Sequence, residues 1–282
     1  MRTARDSAVQ HISDALRAFR LLLQRLLPRR LMVRNAIDIS EKSGVRYLHF
    51  SSPWVQGAMR IQRPYALELH YTREMMAGLL LREPPWPRQA LLIGLGAGSL
   101  TKFIYRRLPA TKITVVEIDP QVEVVARLHF KLPEDPRRLR IVIADGAEFM
   151  FQGSECYDCI LVDGFDSRAR AGILETLPFY QACRARLSDE GLLAINLLGH
   201  ERGFQASVDR IERAFDGRAL VFPSCDSGNT IAFATAGEPV DVGFSELMER
   251  AERCRQETGL NLRPTIARLQ KAHHLVHDRL RI

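Results

Sequence analysis

The sequence predicts an α/β protein with a doubly wound, mostly parallel sheet, a small β segment before it and helices at both ends. Three observations carry this. Short apolar runs alternate with helical periodicity between residues 88 and 239, the pattern of a parallel sheet covered on both faces. A glycine-rich turn, Gly94-Leu95-Gly96-Ala97-Gly98, stands where the first run meets the first helix. Acidic residues then follow the next runs in order, at Glu117, Asp145 and Asp163.

The elements follow along the chain. Residues 8–27 place Val9, Ile12, Leu16, Phe19, Leu23 and Leu26 at steps of three and four, which makes an amphipathic helix. Eight arginines against two aspartates give residues 1–35 a net charge of +6. Six apolar positions at core spacing favour packing on protein over the alternative, a basic helix on an anionic membrane. Val45–Phe50 and Trp54–Ile61 read as strands, joined by the turn chemistry of Ser51, Ser52 and Pro53. Ala66–Leu81 shifts to helical spacing, and Glu83–Pro87 is a stiff proline-rich linker. Residues 36–87 thus form an N-terminal β-hairpin-containing segment and linker.

In the main region, 88–239, strands are expected at Ala90–Ile93, Ile113–Val116, Leu139–Ile143, Cys159–Val162 and Leu192–Ile195. Helices are expected at Ser99–Arg107, Gln121–Phe130, Phe179–Leu187 and Gln205–Phe215. Ala219–Phe222 and Thr230–Ala234 suit an antiparallel edge. Residues 240–282 read as a helical tail with Pro264 as a break.

Composition excludes several classes. With 282 residues and 46% hydrophobic content, a large core needs no disulfide scaffold. The net charge of +7 belongs to the ends, because residues 36–239 carry 24 basic and 25 acidic groups. A nucleic-acid partner is therefore not expected. No stretch reaches the roughly 20 apolar residues of a membrane span. Five cysteines, an odd number, point to a reducing compartment, and the expectation is a cytoplasmic protein.

The glycines at 94, 96 and 98 let the backbone turn sharply and approach a ligand. Alone they are a weak signal. Glu117 ends the second strand of the sheet, about 20 residues on, where a carboxylate accepts from ribose hydroxyls. Asp145 suits an adenine amino group, or else a helix cap. Asp163 closes the fourth strand, with Asp166 three residues later. Ligands in open α/β sheets bind at that carboxyl edge, so the set reads as a nucleoside site.

The order of Gly-rich loop, Val116-Glu117-Ile118-Asp119, Asp145-Gly146-Ala147 and Tyr157-Asp158-Cys159-Ile160-Leu161-Val162-Asp163 resembles the spermidine synthase family, the polyamine aminopropyltransferases. The resemblance spans residues 45–236, with Val55-Gln56, Tyr71, Glu74-Met75 and Pro178-Phe179-Tyr180. It implies a class I methyltransferase-like Rossmann fold. The implied activity moves an aminopropyl group from decarboxylated S-adenosylmethionine to a diamine such as putrescine, releasing methylthioadenosine. By that resemblance Gly94, Gly96 and Gly98 line the nucleoside, Glu117 holds the ribose and Asp145 faces adenine. Asp163 is the base that orients and deprotonates the amine, and Asp166, Gln56 and Tyr71 bind the diamine. The nucleoside is a co-substrate; no tightly bound cofactor and no metal are expected. The partners expected are a small amine and a second copy of the chain, as a dimer.

The sequence also departs from the family. Ala97 stands where the loop usually carries an acid, Ser167 replaces a proline, and Asn196 stands where the family often has Gln. Arg168 and Arg170 follow Asp166 directly and would suit a carboxylate if they faced the cleft. These changes suit a methyltransferase using intact S-adenosylmethionine, and a non-catalytic nucleoside-binding relative is the third reading. Cys156 and Cys159 have C-x-x-C spacing without a second pair. His273 and His277 lie four apart with no carboxylate joining them. Neither pattern makes a convincing metal site. There is no G-x-S-x-G elbow, and Gly94–Ser99 lacks the Lys-Ser/Thr of a P-loop. The glycines and Glu117 alone would also suit a nicotinamide dehydrogenase, which leaves Asp163 and Asp166 unexplained.

Overall fold

The middle stretches of the main region's strands, such as Ala90–Ile93, Cys159–Val162 and Leu192–Ile195, are continuously apolar because both faces of their sheet are covered. In the computed structural model, residues 37–50, 54–165, 170–199, 203–225, 228–272 and 274–282 are described. The expected helix at 8–27, Asp166, Arg168 and His273 lie outside them.

The first described element is a three-stranded antiparallel meander of β1 (Ile37–Lys42), β2 (Val45–Phe50) and β3 (Val55–Arg60). A two-residue turn joins β1 to β2, with both Ser43 and Gly44 at positive φ, 52° and 74°. That turn geometry matches the right-handed twist of the flanking strands. The sequence reading included β2 and β3 and missed β1, whose outer half is exposed. The helix expected over 66–81 is shorter. It runs as α1 (His70–Met75) and tightens into a 3₁₀ turn at Met76–Leu80. Trp86 packs 3.0 Å from where a Cβ on Gly78 would stand, so a side chain there would press on the indole.

The large sheet holds β4 (Gln89–Ile93), β5 (Lys112–Glu117), β6 (Leu139–Ile143), β7 (Tyr157–Val162), β8 (Leu187–Leu198), β9 (Ala219–Val221) and β10 (Asn229–Thr235). Its order is β6-β5-β4-β7-β8-β10-β9. β4 to β8 pair in parallel, and β10 is antiparallel to both of its neighbours. The antiparallel edge expected from the sequence is present, with the later strand inserted between β8 and β9.

The alternation of side chains sorts the core. Leu92, Val115, Leu161, Leu192 and Ala194 face one apolar cluster, while Leu91, Ile93, Val116, Ile160 and Ile195 face another. The helices between the strands are α2 (Ser99–Arg107), α3 (Pro120–Phe130), α4 (Gly146–Gln152), α5 (Leu177–Ala185) and α6 (Phe204–Ala214). The sheet order reverses at β4, between β5 and β7. A crevice at the carboxyl ends of the strands is the expected consequence.

The tail departs from the expected all-helical reading. α7 (Phe244–Thr258) stops at Gly259, whose φ of 75° ends the helix, and α8 spans Arg263–Lys271. Pro264 lies in the first turn of α8, where its missing N–H costs nothing, so it opens that helix. A small sheet of β11 (Asp241–Gly243) and β12 (Arg279–Arg281) ties the end of the chain back to the start of α7. Leu247, Ala251, Ile266 and Leu269 join the same apolar cluster as Leu92 and Leu161.

Candidate active site

Every described candidate residue from the sequence lies at or beside the carboxyl edge of the large sheet. The glycine loop leaves β4 with Gly94, Gly96 and Gly98 at φ of 99°, 51° and 66°, values L side chains rarely adopt. A Cβ on Gly94 would run into the carbonyl oxygen of Asp163. A Cβ on Gly96 would stand 2.9 Å from the carbonyl oxygen of Gln56. The loop is thus held between the end of β7 and strand β3, which brings Gln56 to it across some 40 residues of chain.

Glu117, 8% exposed, is the loop's anchor. Its Oε2 accepts from the Leu95 N–H at 2.9 Å, and its Oε1 accepts from the Asp119 N–H at 3.0 Å. Burial raises its pKa against the lowering effect of those backbone donors. Each oxygen retains a lone pair for a hydroxyl. Ile118 beside it is 57% exposed, an apolar surface at the crevice that the sequence reading did not single out. Its signal was an isoleucine between two carboxylates at a strand end, where no core position is expected.

Asp145 behaves as a helix cap. Its Oδ1 accepts from the N–H groups of Ala147 at 2.8 Å and Glu148 at 3.1 Å, which closes the first turn of α4. Both bonds fall on one oxygen, so Oδ2 is left for a ligand. Gly146 follows because a Cβ there would stand 2.5 Å from the Ile93 side chain.

Asp163 is the centre of the site. Its backbone N–H donates to the Ile93 carbonyl at 2.9 Å, which continues the β4–β7 pairing past the strand end. Its Oδ2 accepts from the Tyr71 hydroxyl at 3.1 Å, and its Oδ1 accepts from Asn196 Nδ2 at 2.9 Å. Burial pushes its pKa up, and the two hydrogen bonds push it back down. Burial, then Asp163, then Cys225 hold the Tyr71 phenol well above its ordinary value, so it stays a donor. Asn196 and Cys225 were not among the candidate site residues. A polar Asn inside the apolar run Leu192–Leu198 was the available signal for the first.

Ala97 has a packing role. It is 2% exposed and belongs to an apolar cluster with Leu48, Met59 and Phe130. A Cβ on Gly57 would come within 2.6 Å of its methyl group. Ala97 therefore joins the glycine loop to the N-terminal sheet. Arg170 is exposed. Cys156 is exposed while Cys159 is buried in β7, so the C-x-x-C pair is split between surface and core. Among the described residues no helix is long and apolar enough to cross a membrane.

A seven-stranded sheet of this order with an acidic residue at the end of its second strand and a glycine loop at its switch point defines a class I methyltransferase-like transferase. A spermidine synthase structure from Corynebacterium glutamicum, described as probable, shares the fold, with a TM-score of 0.67 at 19% identity over 81% of this chain and 86% of that one. Residues 69–201 match the spermine/spermidine synthase domain. The polyamine aminopropyltransferase of Neisseria meningitidis serogroup A is 35% identical over 237 residues, 84% of this chain and 90% of its own length. The chain belongs to the polyamine aminopropyltransferase family. A human protein named eEF1A lysine and N-terminal methyltransferase is also similar, 33% identical over 68% of this chain and 30% of its own.

Proposed function

We propose that this protein moves an aminopropyl group from decarboxylated S-adenosylmethionine to a diamine such as putrescine, with Asp163 as the base. One observation carries the reading. The carboxylate of Asp163 stands at the sheet's carboxyl edge with each oxygen met by a neutral donor, Tyr71 or Asn196. A buried anion with neutral partners is best matched by a cation, and the acceptor amine supplies one.

The chemistry follows. An ammonium has no lone pair, so one proton passes to Asp163 before attack. The raised pKa of Asp163 makes it a better proton acceptor. The amine nitrogen then forms a bond to the carbon beside the sulfonium, the C–S bond breaks, and its electron pair stays on sulfur as methylthioadenosine leaves. Glu117 holds the ribose, Gly94, Gly96 and Gly98 line the nucleoside, and Oδ2 of Asp145 takes the adenine amino group. Gln56 and Tyr71 come from segment 36–87 to line the amine side of the nucleoside region, 88–239. Asp166 is assigned to the far end of the diamine. The reading includes a cytoplasmic location and a homodimer.

A second reading, methyl transfer from intact S-adenosylmethionine, is favoured by Ala97. Its side chain is apolar and buried, so that turn offers no carboxylate to an aminopropyl ammonium. The similarity to the human methyltransferase points the same way. The test offers S-adenosylmethionine and its decarboxylated form separately, with putrescine, spermidine and other amines, and follows products by mass spectrometry. Methylthioadenosine and a lengthened polyamine, dependent on the protein, are expected with the decarboxylated donor. Methylated product with the intact donor and none with the other would overturn the first reading in favour of the second.

A further inference from the structure

We propose that Asn196 is a positioning residue for this reaction: its Nδ2 fixes one oxygen of Asp163, and its Oδ1 offers an acceptor to an N–H of the incoming amine. The inference rests on the reading of Asp163 given above and adds a residue to it.

The placement comes from sheet register. β7 and β8 run in parallel with Val162 beside Ile195, so the next residues, Asp163 and Asn196, stand side by side. Along β8, Leu193, Ile195 and Leu197 face one apolar cluster, and Leu192 and Ala194 face the other. Asn196 continues the second row, on the side where Tyr71 packs, and breaks its apolar pattern. It is 4% exposed. An amide carried this deep is costly unless both its ends are bonded.

Only one end is. Nδ2 donates to Asp163 Oδ1 at 2.9 Å, while Oδ1 has no hydrogen-bond partner among the described residues. An unpaired buried acceptor at the end of a sheet strand calls for an explanation. The carboxylate supplies one: an ammonium that gives one proton to Asp163 still carries N–H groups that need acceptors. The asparagine amide, held in place by Asp163 itself, presents such an acceptor beside the base. The described titratable groups facing Asp163 are Tyr71 from α1 and, beside that tyrosine, Cys225 from the β9–β10 connection.

The test compares Asn196→Leu, which keeps the γ-branched shape and loses both amide functions, with Asn196→Gln, which keeps both. In the leucine variant kcat falls at least tenfold, the amine KM rises, and the acid limb of kcat/KM moves up by about one pH unit. Nucleoside affinity stays within about threefold, and Asn196→Gln restores part of the pH profile. A second measurement needs no turnover. Titration of ¹³C-carboxyl aspartate, with Asp163 assigned through Asp163→Asn, is expected to shift upward in Asn196→Leu.

An Asp163 titration and acid limb both unchanged in Asn196→Leu would overturn the inference, whatever the effect on stability. Loss of activity in Asp163→Asn alongside that result would leave the reading of Asp163 standing. Full activity in Asp163→Asn would overturn that reading instead, and the carboxyl titration would still decide whether Asn196 positions Asp163.

Discussion

Lys102, the fourth residue of α2, is 1% exposed, just past the glycine loop. Its Nζ donates to the carbonyl of Phe130 at 2.7 Å, at the carboxyl end of α3, and lies 5.9 Å from the Phe130 ring centroid. The bond fills one of the orphan acceptors of a helix end, with a charge of the favourable sign. Burial nevertheless lowers the lysine pKa from 10.5 to about 7. Each pKa unit corresponds to about 1.4 kcal/mol, so keeping the ammonium in this site costs about 5 kcal/mol below pH 7. Replacing the lysine would leave the Phe130 carbonyl without this donor, which offsets about 1–3 kcal/mol of the gain from removing that charge.

Lys102→Met should therefore be more stable than the parent protein at pH 6, by about 2 kcal/mol. The sign of the pH dependence follows from the unfolded state binding more protons than the folded one between pH 7 and 10.5. The parent protein's penalty is full below the folded pKa and fades as pH rises toward the unfolded pKa. Between pH 6 and pH 9 the gap should shrink by about 3 kcal/mol, so it closes and reverses by about 1 kcal/mol. Urea unfolding of both proteins at the two pH values measures it, and taking the difference cancels every other titrating group. A gap that is the same at both pH values, or a parent protein that is the more stable at pH 6, would refute the reasoning.

Three further outcomes are expected. Asp163→Asn keeps nucleoside affinity by calorimetry and loses about 10²–10⁴ in turnover; retained turnover removes Asp163 as the base. Gly94→Ala drives a methyl group into the Asp163 carbonyl at a φ of 99°, so nucleoside affinity falls together with thermal stability, read by titration and melting. Arg268→Met leaves the Glu74 carboxylate, 1% exposed and paired with that arginine, without its cation; urea unfolding should show a loss of about 3–5 kcal/mol at pH 8. That loss should shrink as pH falls, because burial already raises the Glu74 pKa and protonation removes the unpaired charge.

Much of the architecture was legible because it is written in local chemistry. The glycine turn, the runs of branched apolar residues and the acid at each strand end all act within a few residues of themselves. Ser99–Arg107 and Leu139–Ile143 match the observed elements at both ends. The elements that escaped depend on partners elsewhere. β1 is half exposed and exists as a strand because β2 pairs with it. β11 and β12 are three residues each and lie about 40 residues apart in the chain. Pro264 has two readings in sequence, a break or a helix start, and the turn before it decides between them.

The sequence by itself determined the sheet, the glycine loop and the identity of Glu117, Asp145 and Asp163 as its edge residues. Each follows from alternation, backbone freedom at glycine and the position of carbonyl edges in a parallel sheet. The company Asp163 keeps was decided by the tertiary structure alone. Its donors come from Tyr71, 92 residues earlier, and Asn196, 33 residues later. The same holds for Ala97, where Gly57 across the loop makes the position a packing site. A carboxylate's charge, protonation and orientation depend on what lies within hydrogen-bond reach. Folding brings those groups together from segments whose spacing carries no periodic signal.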